Sequence, residues 1–259
     1  MRLSKISVYP VKGCTAIDRT EAVVQPWGLV DDRRWLITNP DGLAITQRDV
    51  ATLALLRAEP DLDGLKLSFP RLDPHAVAPG AGLRPVTIWG TTVLATNAGP
   101  EADAWISEAL GRPCHLVWLD DPTRRSCAFA DGAPLLLANE ASLTRVNDWI
   151  LEGDCPDEAP LPMTRFRPNV VISGAKAFAE DEWIGRTIQI GEVAFLAESH
   201  CGRCIVTTTD QGTGDRGREP LRTLARHRNV DQKLRFGVNL VARTQGTLRV
   251  GDDVTVLAT

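Results

Sequence analysis

The sequence predicts a mostly β chain with a few helices, an α+β fold made of two β-rich units that share an interface. Three observations lead there. Short β-branched or alternating segments recur along the whole length, separated by Pro- and Gly-bearing turns. Their close spacing suits a sandwich or barrel better than repeated βαβ units. Helical periodicity is confined to three short stretches. The 259 residues are 43% hydrophobic and 24% charged, enough for a buried core and unlike a disordered chain.

In chain order, "KISVYPV", "EAVVQ", "RRWLIT", "LAITQ", "ALLRAE", "LKLSF" and the pair "VTIWG" and "TTVLAT" are strand candidates. Pro40-Asp41-Gly42, Asp63-Gly64 and Gly90 supply turns between them. "PEADAWISEALG" then places Ala102, Trp105, Ile106, Ala109 and Leu110 on one helical face, with Gly111 as its stop. "NEASLTRVNDWILEG" predicts a second helix with Asn139 as N-cap. A Pro- and acid-rich connector, Gly153 to Pro162, follows. Strands resume with "NVVISG", "RTIQIG", "EVAFLAES", "CIVTTTD" and "FGVNLVAR", and "TLRVGDDVTVLA" reads as a final hairpin. "EPLRTLARH" predicts a short third helix with Pro220 in its first turn. The division between the two units is placed near residue 120, giving 1–120 and 121–259.

Bulk properties exclude several classes. A net charge of −4 argues against a general nucleic-acid or anionic-membrane binder. No run approaches the ~18 apolar residues of a membrane span, and "MRLSKISVYPVKGC" has no signal-peptide core. The six cysteines are too sparse for a disulfide scaffold. A cytoplasmic setting is expected, and a monomer, since no apolar helical seam stands out.

The chemistry concentrates in "SHCGRCIVTTTD". Cys201 and Cys204 stand three positions apart with Arg203 between them. A reduced structural pair is one reading. A thioredoxin-like couple fits less well, because that motif opens a helix. Zinc is poorly served, since His200 adjoins Cys201 and no second pair completes four ligands. A single metal thiolate is the other reading, with Arg203 favouring the ionised form of a neighbouring thiol. Basic residues elsewhere stand beside permissive backbone: Lys12-Gly13 after a proline, Arg33-Arg34, Arg165 and Arg167 with Asn169 on one face of an extended segment, and Asp131-Gly132-Ala133. Each alone is an ordinary surface feature. Together they suit a planar, phosphorylated, hydrogen-bonding ligand. "DQGTGDRG" lacks a phosphate-loop pattern and reads as a mobile loop.

"YPVKGC", "DRRW", "ANEASL", "RFRPNVVISG", "CGRCIVTTTD", "EPLRTL", "FGVNLVAR" and "GDDVTVL" occur in the order seen in MOSC-domain proteins. Over nearly its whole length the chain resembles the branch that includes the mitochondrial amidoxime-reducing component. The resemblance implies an N-terminal β-barrel-like domain packed on a MOSC β-barrel domain. It also implies a molybdenum cofactor, the metal being held by a phosphorylated pterin dithiolene and by Cys204, which is then the catalytic and metal-binding residue. Lys12, Gly13, Arg33, Asp131, Gly132, Ala133, Arg167, Asn169, Gly202, Arg203 and Asn239 are the implied cofactor-binding positions. Gly13, Gly132 and Ala133 depart from relatives that carry hydroxyl side chains there. The implied activity is removal of oxygen from N-hydroxylated substrates such as amidoximes and hydroxylamines. The sequence carries no ferredoxin-like domain after its last strand, so a separate ferredoxin- or cytochrome b5-like donor with its reductase is expected. The rival expectations are a cofactor carrier, a sulfur relay bearing a Cys204 persulfide, and a zinc-stabilised β protein.

Overall fold

The computed structural model describes residues 1–61 and 64–257. Asp63 of the expected Asp63-Gly64 turn, and Ala258 at the end of the expected hairpin, lie outside the described residues. Three α-helices, α1 (Pro100–Leu110), α2 (Glu140–Leu151) and α3 (Leu221–His227), accompany the strands. Among the described residues no helix is long and apolar enough to cross a membrane.

The largest sheet has nine strands. Eight of them run from Val254–Val256 through Thr187–Ile190, Val193–Gly202, Lys233–Ala242, Leu135–Asn139 and Val170–Ser173 to Arg2–Val8 and Ile17–Arg19, and the ninth, Asn229–Val230, pairs off this path with Lys233–Ala242. Alternate residues of these strands, among them Ile6, Val8, Val170, Ile172, Ile188, Ile190, Val193, Phe195, Val238 and Leu240, fill one core. That is the period of a strand with one buried face. The sheet is not a closed barrel. It curls until a single bridge, Arg2 to Asp253, ties the strand Arg2–Val8 to the residue leading into Val254–Val256. The bonds Leu3 N–H to Asp252 O and Val254 N–H to Met1 O, each 2.9 Å, support that bridge.

Leu135–Asn139 and Val170–Ser173 are parallel, and α2 provides the crossover that parallel neighbours require. One βαβ unit therefore exists where none was expected. Asn139 caps α2 as its sequence position predicts, its side chain accepting from the Ala141 N–H at 3.1 Å. Phe166 and Phe236, ring centroids 3.8 Å apart, pack beneath α2 and α3 with Val146, Ile150 and Leu224.

The intervening segment builds a four-stranded sheet from Trp35–Thr38, His115–Trp118, Thr91–Asn97 and Leu83–Ile88. A three-stranded sheet of Arg57–Asp61, Gly64–Ser68 and His75–Val77 lies beside it in sequence. Helix α1 ends at Gly111, whose φ of 64° is left-handed, the position the sequence marks as a stop. Tyr9, Val11 and Cys14 enter this second core with Trp35, Ile106 and Leu116. Residues just after the first strand thus anchor the two regions to each other.

Several sequence expectations are corrected. "CIVTTTD" is not a strand: Ile205–Thr208 is a 3-10 helix. The Thr207 and Thr208 hydroxyls donate to the Cys204 and Ile205 carbonyls at 2.9 and 2.8 Å, a local closure that competes with ladder pairing. "RFRPN" is not extended either, since Met163–Arg165 is a 3-10 turn and Arg167 has a φ of 56°. "LAITQ" contributes only isolated bridges at Leu43 and Ala44. Arg33 lies in a turn, and Arg34 links it to the strand that begins only at Trp35. "TLRVGDDVTVLA" is no hairpin: Gly246–Arg249 pairs with Glu21–Gln25, and Val254–Val256 pairs with Thr187–Ile190.

Candidate functional site

The strand ends and turns converge on a cavity of about 460 Å³, within the usual range for a small-molecule site. Every residue that the resemblance assigned borders it: Lys12 and Gly13, Arg33, Asp131 to Ala133, Arg167, Asn169, Gly202 to Cys204, and Asn239. Arg165 does not; it turns away to the Thr208 carbonyl at 2.7 Å and Asp210 at 3.0 Å. Cys201 and Val206, from the cysteine motif, line it too, as do Arg48 and Trp89, which no motif signals.

Cations dominate the wall. Lys12, Arg33, Arg48, Arg167 and Arg203 face a single lining carboxylate, Asp131. Lys12 is buried, donating to the Phe129 carbonyl at 2.8 Å and to Asp131. Burial holds the Lys12 ammonium below its ordinary pKa, with Asp131 opposing that shift. Burial works against the Asp131 charge, but Lys12 first, then Arg48 and the Trp89 N–H, hold its carboxyl well below the usual range.

Arg33 and Arg167 both lie against the ring of Tyr9, at 4.3 and 4.2 Å from its centroid. Tyr9 is 1% exposed, and its hydroxyl donates to the Pro168 carbonyl at 3.1 Å. Burial pushes that hydroxyl up to about 12, so it stays neutral. Arg33 donates to Asp32 at 2.6 Å and to Asn169 Oδ1 at 2.9 Å. Burial works against its charge too, and Asp32 outweighs it to hold the guanidinium above its ordinary pKa. Arg167 donates to the Cys14 carbonyl at 2.6 Å and to Gln211 at 3.1 Å. Asn169 is occupied within the fold as well, accepting from Leu136 N–H at 3.2 Å and donating to the Ser7 carbonyl at 3.2 Å. It ties three strands to Arg33 and acts here as a positioning group.

The thiols separate by environment. Cys14 is fully buried, and burial pushes it up to about 11, an inert thiol. Cys201 and Cys204 are half-buried and both border the cavity. Cys204 stands where the strand Val193–Gly202 has ended and the 3-10 helix begins, as that helix's N-cap. Arg203 turns its guanidinium to Cys201 Sγ at 2.9 Å and to the Phe166 carbonyl at 2.6 Å. The thiol that meets the cation is thus Cys201.

A cofactor-sized anion suits this lining. Arg203 Nε is buried without a hydrogen-bond partner, an orphan donor on a residue that borders the cavity. A methyl group added at Gly132 or Gly202 would meet nothing within 4 Å, so the backbone there is open to close approach. Among the described residues no three His, Cys, Asp or Glu side chains gather as a metal site. A metal bound by one of these thiols has to bring its remaining ligands with it.

The fold and site together define an α+β protein with a cation-walled cavity and a cysteine at its rim. The MOSC domain profile matches residues 124–255 and the MOSC N-terminal beta barrel domain profile matches 1–113; the chain belongs to the MOSC-domain family. It is 31% identical to mitochondrial amidoxime-reducing component 1 of Homo sapiens, over 98% of this chain and 82% of that one. It is 32% identical to a molybdenum cofactor sulfurase of Oryza sativa subsp. japonica, over 93% of this chain and 32% of that one. A molybdenum cofactor sulfurase of Danio rerio is 30% identical over 97% of this chain and 34% of its own. The chain therefore spans about a third of the length of these sulfurases. The crystal structure of the YUAD protein from Bacillus subtilis aligns over 98% of this chain at 10% identity with a TM-score of 0.44, a likeness too loose to carry functional meaning.

Proposed function

We propose that this chain is a molybdenum-cofactor-dependent reductase that removes oxygen from N-hydroxylated compounds, with electrons drawn from a separate redox protein. The observation that carries this reading is the convergence of Lys12, Arg33, Arg48, Arg167 and Arg203 with the Cys204 thiol on one cavity. Lys12, Arg33 and Arg167 are suited to the phosphate and ring system of a pterin. Tyr9 and Asn169 fix the two arginines before any ligand arrives, which lowers the ordering cost of binding. Gly132, Ala133 and Gly202 offer approachable backbone, and Arg203 adds its positive charge to the cavity border. Cys204 is the protein's thiolate ligand to the metal. When bound, such a cofactor supplies two-electron chemistry at the metal, and the protein supplies binding, orientation and electrostatics.

The test is turnover of an amidoxime with a chemical reductant, using protein loaded in a host that makes the cofactor. Cys204→Ala should abolish turnover, while Cys201→Ala should be far milder. Retained activity in Cys204→Ala sinks the assignment.

The alignment of nearly the whole chain with proteins named molybdenum cofactor sulfurase favours one alternative, a sulfur relay at Cys204. That reading predicts labile sulfide on metal-free protein, lost in Cys204→Ala.

A further inference from the structure

Trp89 stands out as a residue that its local structure does not ask for. Leu83–Ile88 and Thr91–Asn97 form a hairpin in which Ile88 pairs with Thr91, leaving Trp89-Gly90 as a two-residue turn. Both turn residues have positive φ, 50° at Trp89 and 78° at Gly90. Such turns favour Asn-Gly or Asp-Gly, and a bulky residue at the first position is strained. The indole is not there to fill a core, for Trp89 is 51% exposed. It is nevertheless held firmly. Its Nε1–H donates to Asp131 at 3.1 Å, the Arg48 guanidinium lies 4.3 Å from its ring centroid, and Arg48 in turn meets Asp131 at 3.5 Å. The hairpin tip thereby brings a rigid, half-exposed aromatic surface to the border of the cavity that Cys204 also borders. Strain retained at an exposed position beside a cavity points to a ligand contact.

We infer that Trp89 is an aromatic platform for the flat, non-reacting part of the substrate. It makes the site selective for aryl or heteroaryl N-hydroxylated compounds over alkyl ones. The substrate class named here rests on the reductase reading; the platform itself is tested without turnover. Aromatic rings prefer stacked or edge-to-face contact with one another, which an alkyl substituent cannot reproduce. The indole is already oriented by Asp131 and Arg48, so little ordering is needed when a ring arrives.

The experiment measures dissociation constants of benzamidoxime and acetamidoxime for the cofactor-loaded protein by calorimetry, with no reductant present. The two probes share the reacting group and differ by a phenyl ring against a methyl. Wild type should prefer benzamidoxime, and Trp89→Asn should reduce that preference by roughly tenfold. Asn-Gly suits this turn, so folding is not at risk in that variant. Trp89→Phe should restore most of the preference. An unchanged ratio in Trp89→Asn overturns the platform, as does a wild type that binds neither probe. Loss of molybdenum from both variants also overturns it, by assigning Trp89 to the cofactor instead. Trp89-dependent binding without reduction when a reductant is added keeps the platform and removes the reductase.

Discussion

At the scale of single residues the cavity is a set of mutually fixed charges. Charge-assisted hydrogen bonds are worth roughly 1.5–3 kcal/mol each. Arg167→Ala should therefore weaken cofactor retention about ten- to a hundredfold while leaving the fold intact, read as metal occupancy after extended dialysis. Full occupancy in that variant removes Arg167 from the site. Asp131 gives a pH prediction. Its folded pKa lies below the ordinary carboxyl value of 3.8 because Lys12 faces it, so its stabilising contribution is complete above that value. The contribution is lost as pH falls through the lower folded value. The melting temperature of wild type should exceed that of Asp131→Asn at neutral pH, and the gap should close only on strong acidification. A gap independent of pH contradicts the Lys12–Asp131 pairing. Lys12, Arg33, Arg167 and the two thiols were legible because they sit in compact motifs. Arg48, Trp89 and Gln211 were not. Gln211, for example, meets Gln47, 164 positions away in the chain, and no local pattern announces such a contact.

At the scale of elements the strands were legible where apolar residues alternate, as in "RTIQIG" and "EVAFLAES". They were misread where hydroxyl groups satisfy the backbone locally, as in Ile205–Thr208. That misreading matters for the site. The strand ends at Gly202 and Cys204 caps the 3-10 helix, so both thiols border the cavity, whereas a continuous strand would have sent residues three apart to opposite faces. The neighbouring strand Lys233–Ala242 depends on Gly237, at a φ of 81° with the position of an added Cβ only 2.7 Å from the Leu137 carbonyl. Gly237→Ala should cost about 2 kcal/mol, lowering the urea midpoint with the slope unchanged. A midpoint equal to wild type means that the strand accommodates the methyl by shifting.

At the scale of the whole molecule the β-rich character and the three helices follow from pattern. The interlocking of the two halves does not, because pairing between distant segments leaves no local trace. Leu3, Ile6 and Val8 share a core with Val170, Ile188 and Val238, while Tyr9 and Val11 enter the other. The chain should accordingly unfold in one calorimetric transition; two separated transitions contradict this coupling. On the function proposed above, these halves together present a cofactor cavity with one protein thiolate at its border. The most direct test counts molybdenum and zinc per chain, side by side, in wild type and Cys204→Ala purified from a host that makes the cofactor. About one molybdenum per wild-type chain and none in Cys204→Ala is the expected result. Zinc in place of molybdenum, or molybdenum retained without Cys204, contradicts it.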